Sequence, residues 1–174
     1  ETIVARLSRQ RQEMNTPVLT IEERHNVESG AWFSKLSLPL RQAILARAVV
    51  RRYPDGQALA SRGGAAEDWT CVAKGAVRVS SVSLSGKQVT LTYVEPGTWF
   101  GDIALFDGLP RTHDATEHGE TTLLAVRKAD FKELLAQHVE LYDALLRLNC
   151  RRLRLMFDTF EDLNTRPLAA RLAK

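Results

Sequence analysis

The sequence is poor in cysteine and histidine and has no long apolar run, and each shortage excludes a class of protein. Its two cysteines, Cys71 and Cys150, are too few for a disulfide framework or for a four-cysteine iron–sulfur cluster. No apolar stretch approaches the length of a membrane span, and the first residues show no signal-peptide pattern. We therefore expect a reduced, cytoplasmic protein with buried thiols and no membrane contact.

Length and charge place the chain among ordinary globular proteins. Its 174 residues are enough for one well-cored domain, or for one domain with an appendage. The net charge of +3 is modest, and although the arginines form local clusters, this balance does not require a nucleic-acid partner.

Short β-type runs broken by glycine and proline fill the middle of the chain. They occupy residues 49–53, 58–61, 69–73, 76–83, 89–94, 113–116 and 121–126. Seven or eight such strands at near-regular spacing predict an antiparallel β-roll or jelly roll. Helices are predicted around it: one capped by Ser29, one that starts at Ser37, and one over residues 128–136. The fold class is therefore α+β.

The stretch from Trp99 to Thr112 has the composition of a phosphate site. Gly101 lets the backbone approach a ligand closely, and the helical turn that follows it presents unpaired N–H groups to an anion. Arg111 and Thr112 then supply a guanidinium fork beside a hydroxyl, both suited to phosphate oxygens. The carboxylate of Asp102 can accept a hydrogen bond from a sugar hydroxyl. Together these groups predict a site for a sugar phosphate.

This stretch resembles the phosphate-binding cassette of cyclic-nucleotide-binding domains in the Crp/Fnr family. That cassette runs Phe-Gly-Glu, small apolar residues, a turn, and Pro-Arg followed by Ser, Thr or Ala. Lys74-Gly75 ahead of a strand is a second shared feature, and the resemblance covers about residues 30–174. It implies the effector-sensing domain of a transcription regulator, with cAMP or another cyclic nucleotide as the candidate effector.

The resemblance also implies roles for individual residues. Arg111 would pair with the cyclic phosphate, and Asp102 would face the ribose hydroxyl. The other implied contacts are Thr112 and the backbone at Gly101, Ile103 and Ala104 for the phosphate, and Val79, Leu91 and Thr92 for an apolar wall.

The chain departs from the family pattern in two places, at Asp102 and at the pair Met156-Phe157. Asp102 stands where the family usually has the longer Glu. Met156 and Phe157 stand where cAMP receptor proteins have a Thr-Ser pair that reaches the adenine, and of the two only Phe157 offers a stacking surface. The resemblance therefore indicates the phosphate half of the site more firmly than the base half.

A long helix is predicted over about residues 139–162, which contain neither proline nor glycine. Apolar residues and one asparagine recur along it at alternating spacings of four and three: Tyr142, Leu146, Asn149, Leu153, Met156, Phe160 and Leu163. This heptad seam predicts a parallel homodimer, in which Asn149 would fix the register. A second stripe (Leu141, Leu145, Leu148, Leu155) would pack on the barrel. The alternative is a single buried helix.

The ends of the chain complete the predicted organisation. Residues 1–28 are predicted as an N-terminal arm, with a short helix up to about Met14 and extended chain over 18–21. Residues 29–137 form the cyclic-nucleotide-binding-like domain, and residues 138–163 the dimerisation helix. Residues 164–174 resemble the Crp/Fnr hinge and the first turns of a helix-turn-helix domain. DNA is therefore an implied partner, through a domain outside this chain.

Two alternatives stand beside this interpretation. The same fold can carry a degenerate pocket that senses a different ligand or none. A cupin-like metalloenzyme is the less favoured one: His113, Asp114, Glu117 and His118 lie close in sequence, but such sites use a His-x-His pair that the chain lacks. With no nucleophile motif, no Walker loop and no redox cysteine pair, we expect no enzymatic activity, no metal and no required cofactor.

Overall fold

A computed structural model describes residues 18–165, which form two compact units that divide between Glu133 and Leu134. The predicted helix before Met14 and residues 166–174 lie outside the described residues. The elements are α1 (Ile21–Ser29), a 3-10 turn (Phe33–Lys35), α2 (Leu38–Arg47), β1 (Val49–Tyr53), β2 (Ala58–Ala60), β3 (Asp68–Val82), β4 (Gln88–Val94), β5 (Trp99–Phe100), α3 (Asp102–Asp107), β6 (Asp114–Arg127), α4 (Lys128–Gln137) and α5 (Glu140–Thr165).

The strands form one antiparallel sheet that closes around an apolar interior. Its order is β1-β6-β3-β4, with β2 also pairing with β6 and β5 with β3. The interior is built from buried side chains of β3, β4 and β6, namely Val72, Val77, Val94, Ala115 and Leu123. The predicted antiparallel β-roll with flanking helices and a long C-terminal helix is confirmed.

β3 and β6 are each one long strand where the sequence predicts two. At Lys74-Gly75 the register between β3 and β6 shifts, and Gly75 has a left-handed φ of 75°. A Cβ at Gly75 would lie 2.6 Å from the carbonyl oxygen of Glu120, so only glycine fits without displacing β6. The predicted turn at this pair is therefore wrong. It is a bulge, at which the strand bends and continues.

The N-terminal prediction of extended chain through Ile21 is also wrong, because α1 begins there. The Thr20 hydroxyl accepts a hydrogen bond from the Glu23 N–H at 3.2 Å, and the Glu23 carboxylate accepts one from the Thr20 N–H at 2.8 Å. This reciprocal capping box satisfies two N–H groups that a helix start leaves open. The helix therefore occupies part of the predicted arm.

Of the two helix starts predicted next, at Ser29 and at Ser37, only the second is found. Ser29 ends α1 instead of capping a new helix, and only the 3-10 turn follows it. Ser37 does cap α2, because its hydroxyl accepts from the Leu40 N–H at 3.4 Å and Pro39 lies in the first turn.

An aromatic cluster forms the second part of the core of the first unit. The rings of Trp69 and Trp99 are 4.2 Å apart, and Trp32, Phe33 and Phe131 surround them at ring distances of 5.1–5.8 Å. Trp99 is 1% exposed and directly precedes the predicted phosphate cassette. The start of the cassette is thus anchored in the core by a large buried side chain.

The second unit is dominated by α5, which extends the predicted helix to Thr165, the last described residue. The apolar residues of the predicted seam are all between 50% and 65% exposed: Tyr142, Leu146, Leu153, Met156, Phe160 and Leu163. In the second predicted stripe Leu141 and Leu145 are buried, whereas Leu155 is 65% exposed, so the prediction of burial is wrong at Leu155. None of the described helices combines the length and apolar character that a membrane crossing demands.

Candidate functional site

Gly101, which the sequence predicts as a point of close backbone approach, has a left-handed backbone. Gly101 caps α3 with φ 91°, and a Cβ there would lie 3.1 Å from the carbonyl oxygen of Asp68. Gly108 ends α3, also left-handed, and its N–H donates to the Ala104 carbonyl at 3.2 Å. Two glycines therefore bracket a six-residue helix and turn the chain back towards Arg111.

Arg111 is held by the loop that contains Gly63, Gly64 and Ala65. The Arg111 N–H donates to the Gly64 carbonyl at 2.9 Å, and the Gly63 N–H donates to the Arg111 carbonyl at 2.8 Å. Its Nε donates to the Ala65 carbonyl at 3.4 Å. These bonds fix the backbone of Arg111, and no salt bridge to its guanidinium occurs among residues 18–165.

The Arg111 side chain lines a cavity of about 80 Å³ that opens to solvent. The other walls come from β1, β2, β3, β5 and β6: Arg51, Tyr53, Leu59, Asp68, Thr70, Phe100, Leu123 and Ala125. Three charged side chains, those of Arg111, Arg51 and Asp68, therefore line the cavity together with apolar and polar groups. This is the composition of a small-molecule site.

Arg51 and Asp68 form an ion pair in this cavity that sequence analysis missed. The guanidinium donates through both Nη atoms, with Nη1–Oδ2 and Nη2–Oδ1 distances of 2.7 and 3.3 Å. The hydrogen bond to Asp68 raises the pKa of Arg51, which keeps it charged. The two residues are 17 positions apart, and no local motif links them.

The remaining predicted phosphate and sugar contacts differ in exposure. Asp102 is 1% exposed, Ala104 is half-buried and Ile103 is 56% exposed. Thr112 is exposed, and its hydroxyl lies 2.8 Å from His113 Nδ1. None of these four residues lines the Arg111 cavity. Gly101 is close to Arg111, because a Cβ built on Gly101 would lie 3.7 Å from Nη1 of the guanidinium.

The predicted apolar wall is not brought into that cavity. Val79 packs against the interior cluster and pairs with Thr92 across β3 and β4. Leu91 falls at a register shift of β4 and is 50% exposed. Met156 and Phe157 lie on α5 in the second unit, where they are 54% and 62% exposed. The apolar side chains that line the cavity are instead Leu59, Phe100, Leu123 and Ala125.

The four residues of the alternative metal site do not converge. Asp114 accepts a hydrogen bond from the Arg62 N–H at 2.8 Å, His118 packs against Tyr93 with tilted rings 5.1 Å apart, and Glu117 is 2% exposed. In the described part of the chain no group of three His, Cys, Asp or Glu residues has metal-binding geometry. This arrangement gives no support to a metalloenzyme.

Burial decides the chemistry of Glu117. Desolvation raises its pKa to about 6, with the nearby Thr121 acting weakly in the opposite direction. The Thr121 hydroxyl donates to the carbonyls of Ala76 and Gly119 at 3.3 and 3.1 Å, and neither Glu117 oxygen has a partner among the described residues. Sequence analysis placed this residue in a candidate metal site, and the structure places it in the interior of the roll.

Known proteins resemble this chain in sequence and in fold. The family model described as "Cyclic nucleotide-binding domain" matches residues 50–138. The CRP-like cAMP-activated global transcriptional regulator of Mycobacterium tuberculosis (strain CDC 1551 / Oshkosh) is 27% identical over 122 residues, which are 70% of this chain and 54% of that protein. The Cyclic AMP receptor protein of Thermus thermophilus is 33% identical over 104 residues, 60% of this chain and 48% of that protein.

A solved structure also resembles this chain in fold. The Thermus thermophilus Catabolite Activator Protein superposes with a TM-score of 0.69 at 28% identity, covering 76% of this chain and 62% of that one. The chain spans about half the length of the curated relatives it matches. The matched region includes the roll, the cassette and Arg111. The chain therefore belongs to the cyclic nucleotide-binding domain family, and its domain is of the type found in Crp/Fnr regulators.

Proposed function

We propose that this chain is the effector-binding part of a transcription regulator and that it binds the phosphate of a cyclic nucleotide at Arg111. The observation that carries the proposal is a guanidinium that is fixed through its own backbone, lines a cavity beside Gly101 and has no carboxylate partner among the described residues. An arginine held in this way offers a phosphodiester two parallel hydrogen bonds without first breaking an ion pair. The named relatives are cAMP-responsive, which supports the same class of ligand here.

The sugar and base contacts are proposed from the family resemblance. Asp102, buried on the first turn of α3, would accept from the ribose hydroxyl, and Thr112 and the N–H groups of Ile103 and Ala104 would assist at the phosphate. Leu59 and Phe100 supply apolar surface beside Arg111, with Val79, Leu91 and Thr92 further along the roll. Met156 and Phe157 would contact the base from α5. Neither Met156 nor Phe157 offers a side-chain hydrogen bond that is specific for adenine, so cGMP is as much a candidate ligand as cAMP.

α5 would make the protein a homodimer. Its seam residues repeat with heptad spacing and are half or more exposed in the single chain, which is costly for six large apolar side chains unless a partner covers them. Ligand binding at the cassette would then shift the population of dimer arrangements, and thereby the presentation of DNA-binding domains that follow α5 in the full-length regulator.

Calorimetry with cAMP and with cGMP on this chain and on Arg111→Ala tests the proposal. We expect heat with at least one nucleotide, and a loss of about 2–5 kcal/mol of binding free energy in the variant, because a charged partner of the phosphate is removed. Arg78→Ala, which lies outside the cavity, is the matched control. No heat from the unaltered chain with either nucleotide at millimolar concentration would favour the degenerate pocket.

A further inference from the structure

The cavity beside Arg111 contains three charged side chains, two of them arginines. Arg51 is 38% exposed and Asp68 is 18% exposed, and they are joined by two hydrogen bonds of 2.7 and 3.3 Å. Arg111 lines the same cavity, and its one side-chain hydrogen bond within residues 18–165 runs from Nε to the Ala65 carbonyl at 3.4 Å. A single carboxylate thus lies within one cavity with two guanidinium groups.

The Asp68 backbone and the Arg111 guanidinium both lie close to Gly101. The ideal Cβ position of Gly101 is 3.1 Å from the carbonyl oxygen of Asp68 and 3.7 Å from Nη1 of Arg111. Arg51 reaches Asp68 from the other side because β1 and β3 both flank β6, where Arg51 pairs with Leu123 and Asp68 with Arg127. Asp68 therefore pairs with Arg51 and lines the same cavity as Arg111.

We propose that Arg51 is a positioning residue that holds the Asp68 carboxylate and thereby keeps the Arg111 guanidinium open to an anionic ligand. The inference rests on the proposed function, since it names Arg111 as the anion contact. A half-buried carboxylate that loses one cationic partner takes another within reach, because leaving it unpaired costs its full desolvation energy. Without Arg51, the remaining cation that lines the cavity with Asp68 is Arg111, and the ligand phosphate would then have to displace a carboxylate.

The charges of the cavity agree with this role. Arg51 and Asp68 neutralise one another, so the cavity retains one uncompensated positive charge, at Arg111. This matches the single negative charge of a cyclic phosphodiester.

A double-variant cycle measured by titration with cAMP and cGMP tests the inference. We expect Arg51→Gln to weaken binding roughly tenfold to a hundredfold, the value of a charge-assisted hydrogen bond. Adding Asp68→Asn should restore affinity to within about threefold of the unaltered chain, because the competing carboxylate is gone. Arg78→Gln, the same change on β3 outside the cavity, should have no effect, and thermal unfolding shows that each variant is folded. If the double variant stays as weak as Arg51→Gln, Arg51 contacts the ligand itself and the inference is overturned.

A measurement without nucleotide separates this inference from the proposed function. The Nε–H resonance of Arg111, assigned by its loss in Arg111→Lys, should shift in Arg51→Gln and return in Arg51→Gln/Asp68→Asn. An unchanged resonance in Arg51→Gln overturns the inference even if nucleotides bind. A resonance that switches as expected in a chain that binds neither nucleotide supports the positioning role and rejects the cyclic-nucleotide proposal.

Discussion

The guanidinium of Arg52 contacts both oxygens of the buried Glu23 carboxylate, with Nη1–Oε1 and Nη2–Oε2 distances of 2.6 and 2.9 Å. The Thr122 hydroxyl donates to the same carboxylate at 2.7 Å, and the Thr20 N–H at 2.8 Å. One carboxylate therefore joins α1 to β1 and β6. Arg52 follows Arg51 directly on β1. These two consecutive arginines therefore form ion pairs with two different carboxylates, those of Asp68 and Glu23.

The first prediction concerns the stability that this carboxylate supplies. The Arg52 hydrogen bond lowers the pKa of Glu23 from 4.5 to about 2, so its contribution is present above pH 4.5 and is lost as the pH falls through 2. We expect Glu23→Gln to lower the free energy of unfolding by about 2–3 kcal/mol at pH 7, and by progressively less below pH 4.5. Urea unfolding at pH 7 and pH 3 measures this. Glu28→Gln, which alters an exposed pair with Arg24, should change it by less than about 0.5 kcal/mol.

Glu117 has the opposite pH dependence. Its pKa of about 6 in the folded protein lies above the model-compound value of 4.5, so the folded state binds the proton more tightly and stability falls as the pH rises from 4.5 through 6. Glu117→Gln should therefore raise the free energy of unfolding by about 1–2 kcal/mol at pH 7 and by little below pH 4.5. Denaturant unfolding across this range measures the difference. A variant that is less stable at pH 7 would contradict an unpaired carboxylate.

Gly75 and Gly119 allow a matched pair of substitutions. Both have a left-handed φ, but a Cβ at Gly75 meets the Glu120 carbonyl and the Thr121 hydroxyl at 2.6 Å, whereas one at Gly119 meets nothing within 4 Å. Gly75→Ala should cost about 2–4 kcal/mol of stability, from backbone strain and steric clash together. Gly119→Ala should cost only the strain, about 1–2 kcal/mol. Equal losses of melting temperature in the two variants would show that the close contact at the bulge relaxes freely.

The role of Asp102 at the ribose is tested with a deoxy ligand. If its carboxylate accepts from the 2′-hydroxyl, Asp102→Asn should weaken cyclic nucleotide binding by about tenfold and leave the affinity for the 2′-deoxy form unchanged. Asp102→Glu, which restores the family residue, should retain the preference for the hydroxyl. Calorimetry with both ligands gives the comparison. An equal loss for both ligands would assign Asp102, which is 1% exposed, a structural role.

The seam on α5 is tested by two substitutions two residues apart. Leu153→Glu places a charge on the predicted seam, and Leu155→Glu places the same charge off it, at positions that are 50% and 65% exposed. We expect the first to convert a dimer into a chain of 19.5 kDa and the second to leave the dimer intact. Light scattering after size-exclusion chromatography measures the mass. An unaltered chain that already elutes at 19.5 kDa would contradict the seam.

Local chemistry made much of the fold predictable. β1 has the predicted bounds, and α2 starts at the predicted Ser37 cap. Each depends on residues within a few positions along the chain. The same kind of reasoning failed at Lys74-Gly75, since a glycine with positive φ permits both a turn and a bulge, and only the pairing of β3 with β6 distinguishes them.

The sequence alone determined the cassette, from the glycine that opens it to the arginine that follows its closing turn, because glycine, helix and turn preferences act over short distances. Tertiary structure decided which groups share the cavity. β6 lies between β1 and β3, and this order brings Arg51 to Asp68 and both of them to Arg111. Contacts between distant strands depend on packing and sheet order, and no spacing along the chain specifies them.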